Sequence, residues 1–446
     1  VQVEEMALLN PVQKELREGA VNIIAALRNE GYEALLAGGV VRDLLLQREV
    51  SDIDIATSAP PEEVERIFEH TIPVGKQFGV IIVVAGSHHY EIATFRADAE
   101  YRDGRHPTAV AYTNAEEDAR RRDFTVNALF YDPSGDRVID YVDGRKDLNS
   151  LIIRTVGNPE SRFKEDKLRI LRAVRLACQL GFKIDAETFG QVKRMSSLIL
   201  EVSAERIRDE LIKIFRGPDP AAGLDLLSEA GILRVTLPEV EAMKGVAQPP
   251  QFHPEGDVYV HTRLMLSLSR NPSRTLAMGI LLHDVGKPPT FRLADRIRFD
   301  GHAEVGAKMS KIICRRLRFS KGEEDKIVDL VRNHLKFIHV RQMRESTLKR
   351  FLRKEDFFEH LELHRLDCIA SHGDLTNHQF CIDKLAEFGQ EAIRPDPLIG
   401  GRDLIGLGLE PGPLFSRILN AIEDLQLEGK VNSREEALEW VNRNFV

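Results

Sequence analysis

The stretch LLAGGVVRDLLLQREVSDIDIATSAP, residues 35–60, decides the reading of this chain. Ala34-Leu35-Leu36-Ala37 is apolar enough for a buried strand, Gly38-Gly39 reads as a tight turn, and Val41 through Leu46 as the start of a helix. A strand, a glycine turn and a helix N-terminus together present backbone N–H groups to a phosphate. Further along, Asp52 and Asp54 stand at i and i+2. On a strand such a pair shares one face, about 7 Å apart along the chain, where two carboxylates and a triphosphate make an oxygen site suited to Mg²⁺. The chemistry implied is nucleotidyl transfer, in which a hydroxyl attacks an α-phosphate and expels pyrophosphate.

An Asp-x-Asp alone is commonly a solvated turn or a helix cap. Here Gly-Gly-x-x-Arg-Asp precedes it, and three further segments follow: Asp118 to Ala128 (DARRRDFTVNA), Asp140 to Leu148 (DYVDGRKDL) and Glu165 to Arg172 (EDKLRILR). In the first, Arg121, Arg122, Asp123 and Asn127 place cations beside polar groups suited to a sugar hydroxyl, and the guanidinium fork matches phosphate. In the last, a helix from about 162 to 180 buries Leu168, Leu171 and Val174. Asp166, Arg169 and Arg172 recur every three residues on another face.

In order and spacing, these segments resemble the bacterial-type (class II) tRNA nucleotidyltransferases, the CCA-adding enzymes, and their relatives the bacterial poly(A) polymerases, over roughly residues 30 to 240. The resemblance implies an α/β nucleotidyltransferase head, a mixed sheet with helices like that of the DNA polymerase β superfamily, followed by an all-α body. It implies catalytic carboxylates at Asp52, Asp54 and a third position, with Mg²⁺ at the transferase site. It also assigns nucleotide binding to Gly38, Gly39, Arg42, Arg121, Arg122, Asp123, Asn127, Asp166, Arg169, Arg172 and Arg175. Asp166 and Arg169 then read the base: a carboxylate accepts from the exocyclic amine that cytosine and adenine share, and arginine donates to a ring acceptor.

For the third carboxylate the candidates are Asp140 and Glu91; family members carry an acid before the aromatic at the Asp140 place, which favours Asp140. Tyr101 to Pro107, polar and glycine-bearing, resembles the loop such enzymes use to switch from cytidine to adenosine. Poly(A) polymerases tend to carry two basic residues after a glycine where this chain has Gly75-Lys76-Gln77-Phe78. That departure favours CCA addition over poly(A) synthesis or a partial CC- or A-adding enzyme.

A second constellation begins at His261 and continues through His283-Asp284, His302, His334 and Asp367. A carboxylate on an apolar helix needs a partner or a metal. The pattern resembles the HD metal-dependent phosphohydrolases, with His302 and His334 matching members that hold more metal. Imidazole with carboxylate suits Mn, Ni, Fe or Co, and the implied reaction is hydrolysis of phosphorylated or cyclic-phosphate RNA ends. The domains expected are a head at 1–155, a helical neck for base and RNA at 156–245, an HD domain at 246–380 and a helical tail at 381–446.

Composition bounds the rest. The 446 residues are 43% apolar and 30% charged, which suits globular domains. Cys178, Cys314, Cys368 and Cys381 form no CxxC pair and fit a reducing compartment. With no signal peptide and no apolar run near the ~20 residues of a membrane span, the expectation is a cytoplasmic protein without membrane contact. The net charge of −8 runs against RNA binding, which leans on phosphate contacts, but basic residues cluster at 120–122, 164–175, 311–321 and 341–354. Expected partners are tRNA, CTP and ATP. The sequence assigns no oligomeric state.

Overall fold

The computed structural model describes residues 11–50, 52–98, 110–251 and 253–446, so the loop at 101–107 lies outside the described residues. The chain divides into two compact units, Val1–Thr236 and Leu237–Val446.

Among the described residues the first unit opens with the strands β1 Ala34–Ala37, β2 Asp54–Thr57, β3 Thr71–Gly75, β4 Val80–Ala85, β5 His88–Thr94, β6 Arg96–Asp98, β7 Val110–Tyr112, β8 Leu129–Asp132 and β9 Arg137–Asp140. Seven of them form one sheet in the order β3-β4-β5-β2-β1-β8-β9, while β6 and β7 pair separately. Within that sheet only β2 and β5 run parallel; the other neighbours are antiparallel. The run read as a buried strand is β1, buried at all four residues because it lies at the middle of the sheet. Helix Pro11–Asn29 is tied to the sheet where the Tyr90 hydroxyl donates to the Leu16 carbonyl (2.9 Å). Leu35, Ala56, Phe95 and Phe130 form a core beneath it.

After the sheet the unit is helical apart from a two-residue parallel pairing of Ile152–Ile153 with Lys183–Ile184. The single helix expected from about 162 to 180 is two helices, Pro159–Glu165 and Leu168–Leu180. Asn158 caps the first, with proline in its first turn, and Gly181 at φ 73° ends the second. Asp166 sits between them in extended backbone, φ −138°, ψ 106°. Its Oδ1 accepts the Leu168 N–H (3.0 Å), a local bond that competes with helix continuation. Asp166 therefore belongs to a corner, off the helical face that carries Arg169 and Arg172.

The second unit is helical except for the two-residue strands Arg292–Leu293 and Ile297–Arg298. Helix Val258–Leu268 is capped by Asp257, and helix Lys321–Asn333 by a capping box of Ser320 and Glu323. Arg274–Leu282 is apolar and almost wholly buried, so the His283-Asp284 pair that follows it enters the interior. The boundary expected at 380/381 falls inside helix Thr376–Ile393. Residues beyond 397 form their own core around Ile399, Ile418, Ile422 and Val441. Helix Pro413–Leu427 docks on helix Glu345–Leu352 through Arg350 with Glu423 and Asp424, and through Lys349 to the Leu427 carbonyl.

Candidate active sites

In the first unit a cavity of about 850 Å³ opens between the sheet and the helices beyond it. On its sheet side stand Asp52 and Asp54, both exposed to the cavity, with buried Ile53 between them pointing the other way. The alternation expected of the Asp-x-Asp pair is present, although only Asp54 lies within β2. Glu91 lines the same cavity because β2 pairs with β5 in a register that sets Asp54 beside Glu91. Partial burial and the repulsion of Glu91 push the Asp54 carboxyl up to about 6, against the pull of Arg122.

Asp140 does not take the place expected of it. It ends β9, three strands from β2, and its carboxylate accepts the backbone N–H groups of Val142 (3.1 Å), Gly144 (3.0 Å) and Arg145 (2.9 Å). That is the work of a turn-forming residue, and Glu91 is the carboxylate that the sheet brings to Asp54. Asp52, Asp54 and Glu91 supply the hard oxygen donors a magnesium ion takes.

Gly38 joins the carboxylates to the arginines. At φ 78° and ψ −133° it occupies backbone that side chains avoid. A Cβ there would stand 2.8 Å from Arg122 Nη1 and 3.8 Å from Asp54 Oδ2. Gly39 opens the short helix Gly39–Leu45, and Arg42 is buried, forking onto Asp43 and donating to Asn127 Oδ1.

Arg121 and Arg122 both converge on buried Asp118, Arg121 at 2.6 Å and Arg122 at 3.0 Å, and Arg122 lies over the Phe130 ring. Asp118 is the anchor of this motif, and its spacing of three and four from the two arginines is the signal for it in the sequence. Asp123 is buried and accepts from Arg172 Nε (2.8 Å), the Phe124 N–H (2.8 Å) and Asn127 Nδ2 (3.3 Å). Against the desolvation of burial, Arg172 and Arg169 hold its carboxyl down at about 2.

Opposite the carboxylates, Asp166, Arg169, Arg172 and Arg175 line the far wall of the cavity. The side chains of Asp166 and Arg169 bind different partners rather than each other, although the Arg169 N–H donates to the Asp166 carbonyl (3.0 Å). Arg206, from helix Ala204–Phe215, donates to Asp166 Oδ2 at 2.8 Å, and Arg169 donates to Glu165 (2.7 Å) and to the Arg162 and Arg121 carbonyls. Arg175 is held by buried Glu210. Arg206 and Glu210 escaped the sequence reading because each acts across a helix pair that periodicity cannot register.

In the second unit all six residues of the His-Asp pattern meet at one place. His261, His283 and Asp367 form one group of converging donor atoms, and Asp284, His302 and His334 form another. His261 Nε2 lies 3.1 Å from Asp367, His283 Nε2 3.1 Å from Asp284, and the Nε2 atoms of His302 and His334 are 3.3 Å apart. His283, His302 and His334 each set Nδ1 against a main-chain carbonyl, of Ile280 (2.8 Å), Phe299 (2.8 Å) and Val331 (2.7 Å), which turns Nε2 into the cluster.

Burial, together with the neighbouring imidazoles, pushes His334 down to about 4, and burial also lowers His302. A lowered pKa favours the neutral imidazole, the form that ligates a metal. Despite complete burial, Asp284 is held well below the usual carboxylate range by His283 and Lys287. His283 Nε2 and both Asp284 oxygens are buried without an aligned hydrogen bond, although Lys287 Nζ lies 2.6 Å from Asp284. Orphaned polar atoms on a nitrogen and carboxylate donor set fit a transition-metal site. A cavity of about 740 Å³ opens beside it.

The basic clusters are largely neutralised within the chain. Lys321 pairs with Glu324 and Asp325, Arg315 with Glu324, Arg316 with Glu239, Arg353 with Glu423 and Lys354 with Asp329.

Residues 34–154 match the family model described as the poly A polymerase head domain, 181–244 that of the "Probable RNA and SrmB- binding site of polymerase A", and 258–361 the HD domain. A CCA-adding enzyme of Geobacillus sp. (strain WCH70) is 46% identical over 220 residues, covering 49% of this chain and 54% of that protein. One from Oceanobacillus iheyensis is 50% identical over 196 residues, covering 44% and 49%. The chain spans about half the length of the curated relatives it matches. Among solved structures, the Bacillus stearothermophilus CCA-adding enzyme in complex with CTP covers 98% of each chain with a TM-score of 0.75 and 28% identity. A Thermotoga maritima CCA-adding enzyme bound to tRNA, at 19% identity and a TM-score of 0.57, covers 99% of this chain and 97% of that one and shares the fold. No helix among the described residues is long and apolar enough to cross a membrane.

Proposed function

We propose that this protein, in which a match to the poly A polymerase head domain is followed along the chain by a match to the HD domain, is an enzyme of the CCA-adding nucleotidyltransferase and poly A polymerase family that adds C, C and A to the 3′ end of tRNA from CTP and ATP in the cytoplasm. The observation that carries this reading is a single cavity with Asp52, Asp54 and Glu91 on one wall and Asp166 and Arg169 on the other. One wall suits the reacting phosphate and the other suits the base.

The 3′-hydroxyl oxygen of the RNA bonds to the α-phosphorus of the nucleotide, and the bond from that phosphorus to the pyrophosphate oxygen breaks. Mg²⁺ held by Asp52, Asp54 and Glu91 would lower the pKa of the hydroxyl and neutralise the triphosphate. Gly38 leaves the backbone open to close approach by phosphate, and Arg122 supplies a fixed cation beside it. On the far wall, Arg206 and the Leu168 N–H orient the Asp166 carboxylate to accept from the amine of cytosine or adenine. Uracil and guanine lack that amine at the corresponding position. In this scheme residues 1–155 hold the triphosphate and 156–245 the base and RNA.

Incorporation of each labelled nucleotide onto tRNA lacking its 3′ end tests the reading. Two C residues and one A are expected; long A tracts would make the protein a poly(A) polymerase, and a stop after CC a partial enzyme.

The histidine and aspartate cluster supports a second activity, metal-dependent hydrolysis of phosphoesters at phosphorylated or cyclic-phosphate RNA ends. His261, His283, Asp284, His302, His334 and Asp367 would hold the metal, of the Mn, Ni, Fe or Co type, which supplies a water of lowered pKa. A chain carrying His283→Ala and Asp284→Ala is expected to lose hydrolysis and metal uptake while keeping nucleotide addition. Hydrolysis unchanged in that variant would refute the assignment.

A further inference from the structure

One histidine of the HD cluster is held differently from the rest. His283, His302 and His334 set Nδ1 against neutral main-chain carbonyls, whereas His261 Nδ1 lies 2.7 Å from Oε1 of Glu255. The same oxygen is 2.9 Å from Nδ1 of His253, and the two histidine rings meet edge to face at 4.9 Å. Neither Glu255 nor His253 lies within residues 258–361, the span matching the HD family model.

The segment carrying them is pinned. The Gln248 N–H donates to the Gly256 carbonyl (3.0 Å), Gly256 to His253 (3.0 Å) and His253 to Pro249 (3.0 Å). Gly256 turns the chain at φ 79°, and Asp257 both caps helix Val258–Leu268 and accepts the Gly245 N–H (2.7 Å). The Gln248 side chain extends the contact across the cluster: its Nε2 reaches Glu255 Oε1 (3.5 Å), and its Oε1 accepts from Lys287, which lies against Asp284. Glu255 Oε2 is buried without a hydrogen-bond partner, and the 2.7 Å approach of His261 Nδ1 to Oε1 is a close charge contact that is not aligned as a hydrogen bond. A buried carboxylate left half satisfied is destabilising, and the groups set against its other oxygen are the two imidazoles and the Gln248 amide.

We infer that Glu255 is a positioning residue for the metal centre, fixing His261 with its proton on Nδ1 and its Nε2 lone pair directed into the donor cluster beside Asp367, and that His253 in turn orients Glu255. The inference rests on the HD reading. A carboxylate behind a ligating histidine fixes the ring and raises its basicity, and losing such a partner typically lowers metal affinity 10–100-fold.

The test is titration of Co²⁺ into the metal-free full chain, following binding and the visible absorption of the bound ion. Glu255→Leu is expected to weaken binding about 10–100-fold and to shift the cobalt absorption bands. Glu255→Gln, whose amide oxygen imitates the carbonyl behind the other three histidines, is expected to fall between Leu and the parent chain. His253→Asn is expected to weaken binding severalfold, and it carries the test should the Glu255 variants fail to fold. Cobalt bound by all variants with unchanged affinity and spectrum would overturn the inference and leave the HD reading standing. A parent chain that takes up no cobalt would overturn both.

Discussion

Asp54 and Glu91 stand beside each other in register on β2 and β5, the one parallel pair in the seven-stranded sheet. Neighbouring strands lie about 4.8 Å apart, so the two side chains share a face and a cavity, and Glu91 contributes to the raised pKa of Asp54. Retaining two like charges so close is unfavourable unless a cation joins them. Replacing Glu91 with Gln is therefore expected to reduce single-turnover nucleotide addition at least about 100-fold, on the scale of losing one preorganised electrostatic contact in a transition state. Full activity in that variant would remove Glu91 from the site.

Asp140 gives the converse expectation. Its carboxylate collects three backbone N–H groups at the turn after β9, so Asp140→Ala should cost about 1–2 kcal/mol of stability and leave the rate of addition close to that of the parent. Thermal unfolding and kinetics measured side by side separate the two effects.

Gly38→Ala tests the turn beside the carboxylates. The substitution combines a disfavoured backbone conformation with a Cβ 2.8 Å from Arg122 Nη1, so Arg122 must shift. Addition is expected to fall by 10-fold or more, with a stability loss of about 1–3 kcal/mol.

Much of the transferase site was legible because the residues concerned sit close together in sequence: the glycine turn, the Asp-x-Asp pair and the double arginine are each local patterns. Long-range pairing was not legible. Nothing near Glu91 indicates that β5 lies parallel to β2, so the acid before an aromatic that the family resemblance points to, at Asp140, won. The break at Asp166 was hidden by apolar spacing that continues through it, and Arg206 reaches Asp166 across 40 residues. The acidic partners of the basic clusters were legible only where they are local, as Glu324 and Asp325 are to Lys321, and not where they lie far along the chain, as Glu239 and Glu423 do.

Arg206→Met should loosen base selection more than it slows the chemistry. Without the contact to Oδ2 the Asp166 carboxylate keeps only the Leu168 N–H on Oδ1 and is less firmly oriented. The ratio of CTP to UTP incorporation is expected to drop about 10-fold, the low end of discrimination by a well-placed polar contact. An unchanged ratio would mean that the Arg206 contact serves only to join the helices.

Asp123 sets an acid limit on the first unit. Its carboxyl falls from the ordinary 3.8 to about 2 in the folded chain, a difference on the order of 2 kcal/mol. Because the folded value is the lower one, that stability is present above pH 3.8 and is lost as pH falls from there toward 2. Asp123→Asn should flatten the stability-pH curve over that range and leave Arg172 without its partner at every pH. Denaturant unfolding of both chains between pH 2 and 5 measures this directly.

The central claim is tested most directly by giving the full chain CTP, ATP, UTP and GTP with Mg²⁺ on tRNAs ending before CCA, after C and after CC, and reading the products at single-nucleotide resolution. The account predicts completion to CCA from each substrate, no use of UTP or GTP, and a stop after the terminal A. Products that run on in A, that end at CC, or that never extend would contradict it.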